Sequence, residues 1–294
     1  MFGLLLPHEL LLVVGCGFVV GGLSGVFGVG GSFLLVPILH IVLGIPIEMA
    51  VGSTACQVLG PSTAALLARK VTRLQLRLPL IITGGIIMGV LLGTLILSAA
   101  GQFGEVQINN RSVEASELLV LGTYLFMLVG IGSFSLYEVR RQLAGNPVSR
   151  GALARLKIPP VDTFSELGVG TLSIPILSMF GLLTGITAGM LGISGALLLI
   201  PGLVYLLDIR SRKAILASLI VVWITSFLAT ISHAWHEHVD LGLTLALMFG
   251  GTIGARIGSE LSSRLEGQSL RSGIGWLSLF AASLVLFQFY QLLK

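Results

Sequence analysis

The hydrophobic residues of this chain fall into long runs that short polar segments separate. A helix that crosses the hydrocarbon core of a membrane needs about 20 mostly apolar residues. Six runs have about this length, and two, over about 10–43 and 173–207, are much longer. The six predicted single spans lie at about 48–68, 78–100, 117–138, 214–234, 241–261 and 273–292.

Each of the two over-long runs has a glycine-rich centre, Gly21–Ser32 in the first and Gly185–Gly195 in the second. Glycine destabilises the interior of a helix, so each run is predicted to form two shorter helices joined by a break. The chain therefore has ten predicted helical segments. This pattern alone leaves open whether the broken pairs cross the membrane fully or re-enter it.

The second half of the chain repeats the first. Gly25–Pro37 aligns with Gly189–Pro201 at an offset of 164, and six of the thirteen aligned positions are identical. Further along, Gly89 and Gly93 match Gly254 and Gly258 at an offset of 165. The same register is kept across five segments, which indicates an internal duplication.

Composition supports a membrane protein, because 54% of the residues are hydrophobic and only 10% are charged, with a mean hydropathy of +1.00. Soluble domains carry roughly 25% charged residues. The formal net charge is +4, but its Lys and Arg residues are spread over short loops. No basic patch with interleaved aromatic residues is present, so no nucleic-acid partner is expected.

The distribution of Lys and Arg predicts the orientation, since short loops rich in these residues stay in the cytoplasm. Loops 69–77 and 139–172 are basic, whereas loop 101–117 is mainly acidic. If the run 173–207 enters the membrane and returns, all 17 basic residues except Arg111 and Lys294 lie on the cytoplasmic side. A single crossing would divide them almost evenly, so the hairpin is favoured.

The aligned loops 69–77 and 233–240 then lie on opposite sides of the membrane. The predicted fold class is all-α, a polytopic membrane protein with two inverted-topology repeats, each a broken-helix hairpin plus three transmembrane helices. The predicted segments are membrane repeat 1 (1–138), a cytoplasmic connecting loop (139–172) and the inverted membrane repeat 2 (173–294). This architecture is typical of secondary transporters that hold their substrate near the midplane.

The helix that begins at each break is the first candidate for chemistry. Its first N–H groups have no partner within the helix, and that end carries partial positive charge, so it favours an anion. Glycine lets a ligand approach the backbone and serine adds a hydroxyl; tight helix packing is the alternative explanation for each glycine. The candidate substrate-binding residues at the two breaks are Gly28, Gly30, Gly31, Ser32, Gly192, Ser194 and Gly195.

A second polar cluster follows the first break, and it comprises Ser53, Thr54 and Gln57. Ser53 and Gln57 are four residues apart and share one helix face. Polar side chains at this depth in a membrane face a partner or a cavity. Ordinary helix–helix hydrogen bonding is an equally weighted alternative. In repeat 2, Ser218 takes the position of Thr54, so this candidate site is asymmetric.

The histidines at 233, 236 and 238 raise the question of a metal site. No cysteine or further ligand motif accompanies them, so we interpret the stretch as a periplasmic loop with titratable histidines. The sequence also has no nucleophile–base arrangement, Walker A motif or dinucleotide fingerprint. We therefore expect neither an enzyme nor an ATP-driven pump, and no cofactor or metal.

The glycine-rich segments that end in Pro37 and Pro201, with Ala50–Thr54 after the first and Gly254–Gly258 in repeat 2, resemble the TauE/SafE family of sulfite and organosulfonate exporters. The resemblance covers essentially the whole chain. It implies ATP-independent transport of small sulfur-containing anions across the bacterial inner membrane. The chain departs from the family pattern at Ser32 and Ser194, which leaves the particular anion open.

The predicted function is that of a secondary transporter, multi-pass in the inner (plasma) membrane, that moves sulfite or an organosulfonate by alternating access. An anion channel and a transporter of another small carboxylate or oxyanion are the alternatives. The expected partners are a small sulfur-containing anion and the lipid bilayer. A homodimer is left open.

Overall fold

A computed structural model describes residues 7–27, 32–67, 73–108, 111–146, 148, 151–164, 170–193, 195–209, 211–262 and 267–293. Eleven α-helices are found in these ranges. They are α1 (Pro7–Phe27), α2 (Ser32–Ile41), α3 (Ile47–Gln57), α4 (Leu59–Leu67), α5 (Arg77–Gln102), α6 (Ala115–Leu143), α7 (Ile174–Leu191), α8 (Ala196–Pro201), α9 (Ser211–Trp235), α10 (Leu241–Ser262) and α11 (Gly267–Leu293). A 3₁₀ turn (Arg73–Leu76) precedes α5, and a π-helical turn (Gly202–Leu206) follows α8.

The predicted class is confirmed, because the chain folds as an all-α polytopic membrane protein. Within the described ranges, seven helices are long and apolar enough to cross a membrane, namely α1, α5, α6, α7, α9, α10 and α11. The prediction of one helix over 48–68 was wrong, since α3 ends at Gln57 and α4 begins at Leu59. Pro61 lacks the N–H that would bond the Gln57 carbonyl, and its ring disfavours a continuous helix there.

Both long polar loops contain a β-hairpin that the sequence pattern did not predict. Strands β1 (Glu105–Ile108) and β2 (Arg111–Glu114) pair antiparallel in the loop between α5 and α6. Strands β3 (Val161–Thr163) and β4 (Thr171–Ser173) pair antiparallel directly before α7. The hairpins satisfy backbone hydrogen bonds outside the membrane-crossing helices.

Two long helix pairs form the framework, and glycines line both seams. Helix α1 packs along α10, and α5 packs along α7. A Cβ added to Gly17 would lie 2.7 Å from the Leu247 oxygen, and one on Gly185 would lie 2.7 Å from the Ile86 oxygen. These contacts leave no room for a side chain, because the backbones approach each other directly.

The two seams are built from equivalent residues. The contact of Gly21 with the Gly251 carbonyl corresponds to that of Gly185 with the Ile86 carbonyl, at offsets of 164 and 165. The remaining seam glycines follow the same rule, in the pairs Gly17–Leu247 and Gly181–Ile82, Gly25–Ala255 and Gly189–Val90, Gly250–Val14 and Gly85–Ser178, Gly254–Phe18 and Gly89–Leu182, and Gly258–Gly22 and Gly93–Ile186. The internal duplication is thus visible in the packing as well as in the sequence.

The second broken run returns to the face where it began. Ile174, the first residue of α7, donates its N–H to the Pro160 carbonyl, 3.0 Å away, within the loop between α6 and α7. At the other end of the hairpin, Gly151 of the same loop donates to the Tyr205 carbonyl at 2.8 Å. We call this the connecting-loop face.

The first broken run ends on the opposite face. His40, near the end of α2, contacts Glu117 in the first turn of α6, with 2.9 Å between Nε2 and Oε1. Successive glycines of α1 contact successive residues of α10, so the two helices run parallel. Helix α1 therefore begins near Asp240, the residue before α10. We call this the hairpin face, after β1 and β2. The two broken runs therefore open toward opposite faces.

Candidate substrate-binding site

A cavity with a volume of about 560 Å³ lies between α1, α2, α3, α4, α9 and α10. Its buried lining includes Ser32, Leu35, Gln57 and Ser218. Its exposed lining lies toward the connecting-loop face and includes Arg256 and Ser259 of α10. The cavity therefore runs from that face to the beginning of α2.

Polar side chains are concentrated in this cavity, although much of the wall is aliphatic. The apolar part includes Val20, Leu35, Val58, Leu219 and Val222. The polar lining consists of Ser24, Ser32, Gln57, Ser62, Ser218, Thr252, Arg256 and Ser259. Such a mixture of apolar walls and a few polar groups is typical of sites for small molecules.

Half of these side chains already use their donor within their own helix. Ser218 donates to the Ile215 carbonyl at 2.9 Å, and Ser62 donates to the Val58 carbonyl at 2.7 Å. Thr252 donates to the Met248 carbonyl at 2.7 Å, and Ser259 to the Arg256 carbonyl at 2.8 Å. These four hydroxyls offer only lone pairs to the cavity, and lone pairs repel an anion.

Three side-chain donors of the cavity remain without a hydrogen bond to any residue that the structure describes. They belong to Ser24, Gln57 and Arg256. The Gln57 side chain is buried, with 4% of its residue exposed, and its Nε2 lies against Gly251 of α10. This amide has no hydrogen bond to a described residue, so its N–H groups are available to a ligand in the cavity.

The structure brings only some of the predicted site residues to the cavity. Ser32, Gln57 and Ser218 line it. Gly28, Gly30, Gly31 and Ser194 lie outside the described residues. Ser24 and Arg256 were not among the predicted site residues. The sequence indicates them only weakly, because a serine or arginine near a helix end is common in proteins without any role in ligand binding.

Gly192 and Gly195 are buried at the second break, away from this cavity. Both adopt left-handed backbone conformations, with φ of 66° and 76°, which favour glycine. Gly192 packs directly on Val51 of α3, so a side chain there would overlap its backbone. Helix α8 has only six residues, and the second break serves close packing in this conformation.

Ser53 and Thr54 also lie away from the cavity. The Ser53 hydroxyl oxygen accepts the Asp240 N–H at 3.1 Å, on the hairpin face. Thr54 is fully buried, and its Oγ1 has no partner among the described residues. The predicted polar cluster thus divides, with Gln57 facing the cavity and Ser53 joining α3 to the start of α10.

Close packing joins α3 to the segment before α10 at the hairpin face. Gly52 packs on the His238 carbonyl without room for a Cβ. The Glu48 carboxylate lies 3.7 Å from the His238 ring, measured between Oε2 and Nε2. A separate cavity of about 350 Å³ lies beside these contacts and includes Glu48, Gln102, Glu114, His236 and His238 in its lining.

The three histidines of the 233–238 stretch do not converge on one point. His233 and His238 face each other, with 3.4 Å between their Nδ1 atoms. His236 instead donates Nδ1–H to the Ser232 carbonyl at 2.8 Å. Partial burial, together with the neighbouring His236, lowers the pKa of His238. Within the described ranges, no group of three His, Cys, Asp or Glu side chains is arranged to hold a metal ion.

Comparison with known proteins identifies the family. The profile of the family described as Sulfite exporter TauE/SafE matches residues 13–285, nearly the whole chain. The chain belongs to the TauE/SafE family. This agrees with the resemblance seen in the glycine-rich segments.

Curated relatives of this TauE/SafE member are named as transporters. A protein of Xylella fastidiosa (strain Temecula1 / ATCC 700964) named "Probable membrane transporter protein" is 26% identical over 265 residues, which cover 88% of this chain and 87% of the relative. The "Probable membrane transporter protein YunE" of Bacillus subtilis (strain 168) is 24% identical over 86 residues, 29% of this chain and 32% of the relative. No solved structure matches the chain.

Family membership and the helices together establish a multi-pass membrane transporter protein of the cell membrane. In this TauE/SafE chain, the cavity combines aliphatic walls with the free donors of Ser24, Gln57 and Arg256. It is therefore the candidate substrate site.

Proposed function

We propose that the protein is a secondary transporter that moves small sulfur-containing anions, sulfite or organosulfonates, across the inner membrane by alternating access. The observation that carries this proposal is the cavity that extends from the connecting-loop face to Ser32 and Gln57. The family description names sulfite export, which supports the class of substrate.

The chemistry of the cavity favours an anion. Among the described lining residues there is one charged side chain, the cation Arg256, and there is no carboxylate. Gln57 and Ser24 add unpaired donors, and the beginning of α2 at Ser32 contributes the partial positive charge of a helix N-terminus. The aliphatic walls suit the carbon part of an organosulfonate.

The geometry supports a carrier that faces the cytoplasm in this conformation. The basic loops predict that the connecting-loop face is cytoplasmic. On the other side, the contacts of Ser53 with Asp240 and of Gly52 with His238 close the path to the hairpin face. An anion channel needs a continuous pore, whereas a carrier needs a site that is closed at one face at a time.

We infer that the two broken hairpins and the two glycine seams belong to inverted repeats that exchange conformations. Each seam packs backbone on backbone, so each helix pair is expected to move as a rigid unit. If repeat 1 adopts the packing of repeat 2 and the reverse, the cavity closes at the cytoplasmic face and opens at the hairpin face.

The proposal is tested with purified protein in liposomes. Uptake of ³⁵S-labelled sulfite, sulfoacetate and thiosulfate is measured against protein-free liposomes and against Gln57→Ala protein. We expect saturable uptake of at least one of these anions and weaker apparent affinity in Gln57→Ala. Absence of uptake of all three would refute the substrate class.

A further inference from the structure

Arg256 lies on the cavity-facing side of α10 because the opposite side of this helix packs against α1. Gly250, Gly254 and Gly258 of α10 pack directly on the backbone of α1. Thr252, Arg256 and Ser259, which are spaced by four and three residues, form another stripe of α10 that lines the cavity. The rotation of α10 that the glycine seam requires therefore presents Arg256 to the cavity.

Arg256 forms no ion pair with another residue that the structure describes, although Glu260 follows it by one turn of α10. Its guanidinium donates no hydrogen bond to a described residue, and no carboxylate is among the described residues that line the cavity beside it. Two other arginines on the connecting-loop face form ion pairs with described residues, Arg77 with Asp162 at 2.8 Å and Arg271 with Glu138, whereas Arg140 and Arg155 do not. An unpaired cation that lines a cavity attracts anions into it.

Arg256 lies nearer to the cytoplasmic mouth of the cavity than Gln57 does. The Gln57 amide lies against Gly251, five residues before Arg256 on α10. Five residues advance a helix by about 7.5 Å. The guanidinium is partly reachable from solvent, whereas Gln57 is buried. The two donors are therefore arranged in depth along one path.

We propose that Arg256 determines substrate specificity by favouring dianions over monoanions in this cavity. The inference rests on the proposed transport of sulfur-containing anions and refines it. A single cation interacts with a dianion about twice as strongly as with a monoanion at the same distance, so the affinity factor that it contributes is squared.

The test compares two organic anions of similar size in proteoliposomes, sulfoacetate as the dianion and propane-1-sulfonate as the monoanion. Half-saturation concentrations are measured at pH 7.5 for wild type, Arg256→Gln, Arg256→Lys and Arg155→Gln. Arg155 is the matched control, because it is an exposed arginine of the connecting loop that does not line the cavity. Anion-induced thermal stabilisation of the same proteins reports binding independently of transport.

We expect Arg256→Gln to raise the half-saturation concentration about fivefold for propane-1-sulfonate and about 25-fold for sulfoacetate. The fivefold factor corresponds to a solvent-screened interaction with one negative charge, and the second charge of sulfoacetate squares that factor. Arg256→Lys retains the charge and most of the dianion preference, and Arg155→Gln changes neither value. Raising the salt concentration reduces the preference of the wild type but not that of Arg256→Gln.

Equal changes for both anions in Arg256→Gln, or no change, would overturn the specificity role while leaving the transport function intact. A wild-type protein that neither transports nor is stabilised by any sulfur-containing anion would overturn the proposed function as well. An Arg256→Gln protein that does not fold is recognised by its loss of thermal stability, and the Arg256→Lys ratio of the two affinities then decides. Loss of the dianion preference in Arg256→Lys would contradict the proposal, since lysine keeps the charge.

Discussion

Gly85 of α5 packs directly on the carbonyl oxygen of Ser178 of α7, and its counterpart Gly250 of α10 packs in the same way on the carbonyl oxygen of Val14 of α1. The two contacts are related by the internal duplication. Both helix pairs are thus held by backbone contact that requires glycine. Neighbouring Gly84, by contrast, has no atom within 4 Å of an added Cβ.

This difference predicts opposite effects of alanine at two adjacent positions of one helix. Gly85→Ala forces the helices apart and is expected to destabilise the protein by about 1–3 kcal/mol. Gly84→Ala adds helix propensity without a clash and is expected to be neutral or stabilising by up to about 1 kcal/mol. Thermal unfolding in detergent measures both. Similar melting temperatures for the two variants would contradict the direct backbone packing of α5 on α7 at Gly85.

The cavity predicts that two of its polar residues contribute unequally to anion binding. Gln57→Ala removes an unpaired donor, and a hydrogen bond to a charged group is worth about 1.5–3 kcal/mol, so affinity should fall roughly tenfold or more. Ser218→Ala removes a hydroxyl that already donates to Ile215 and should change affinity less than about twofold. Concentration-dependent uptake of sulfoacetate distinguishes them. The reverse order would show that the unpaired Gln57 amide does not bind the anion.

The sequence pattern predicted the broken runs, the duplication and the membrane class because length, glycine spacing and charge carry that information directly. It did not predict the interruption at Val58, since a proline within an apolar run is compatible with a kink or a break. It could not show that the Ser218 hydroxyl is committed to its own helix, or that Ser53 meets Asp240, because both depend on rotamers and tertiary packing. Arg256 was expected at the inner surface, and only the glycine seam shows that it also lines the cavity.

The sidedness of the molecule predicts the pattern of cysteine labelling. In a background where Cys16 and Cys56 are replaced by serine, Ser259→Cys is expected to react with a membrane-impermeant maleimide from the cytoplasmic side only. Gln102→Cys lies in the lining of the opposite cavity and should react from the periplasmic side only. Labelling is compared in right-side-out and inverted membrane vesicles. Reaction of both positions from one side would exclude this topology.

The segment before α10 predicts a pH-dependent stability. The pKa of His238 is lowered by burial and by His236, with His233 and Glu48 also facing it. The unfolded chain therefore binds a proton that the folded chain resists, so stability is lost as pH falls below the ordinary histidine pKa of about 6.5. The melting temperature of wild type should fall more between pH 7.5 and 5.5 than that of His238→Gln. An equal decline in both proteins would show that His238 does not contribute.

Counterflow tests the central claim most directly. Liposomes that contain the protein are loaded with unlabelled sulfoacetate and diluted into a trace of labelled sulfoacetate outside. A carrier that alternates between two faces accumulates label transiently above its equilibrium level, because internal substrate drives exchange. We expect this overshoot for the wild-type protein, and a smaller overshoot for Gln57→Ala at the same sulfoacetate concentration. Entry of label to the equilibrium level without an overshoot, with a flux that does not saturate, would contradict alternating access and favour a channel.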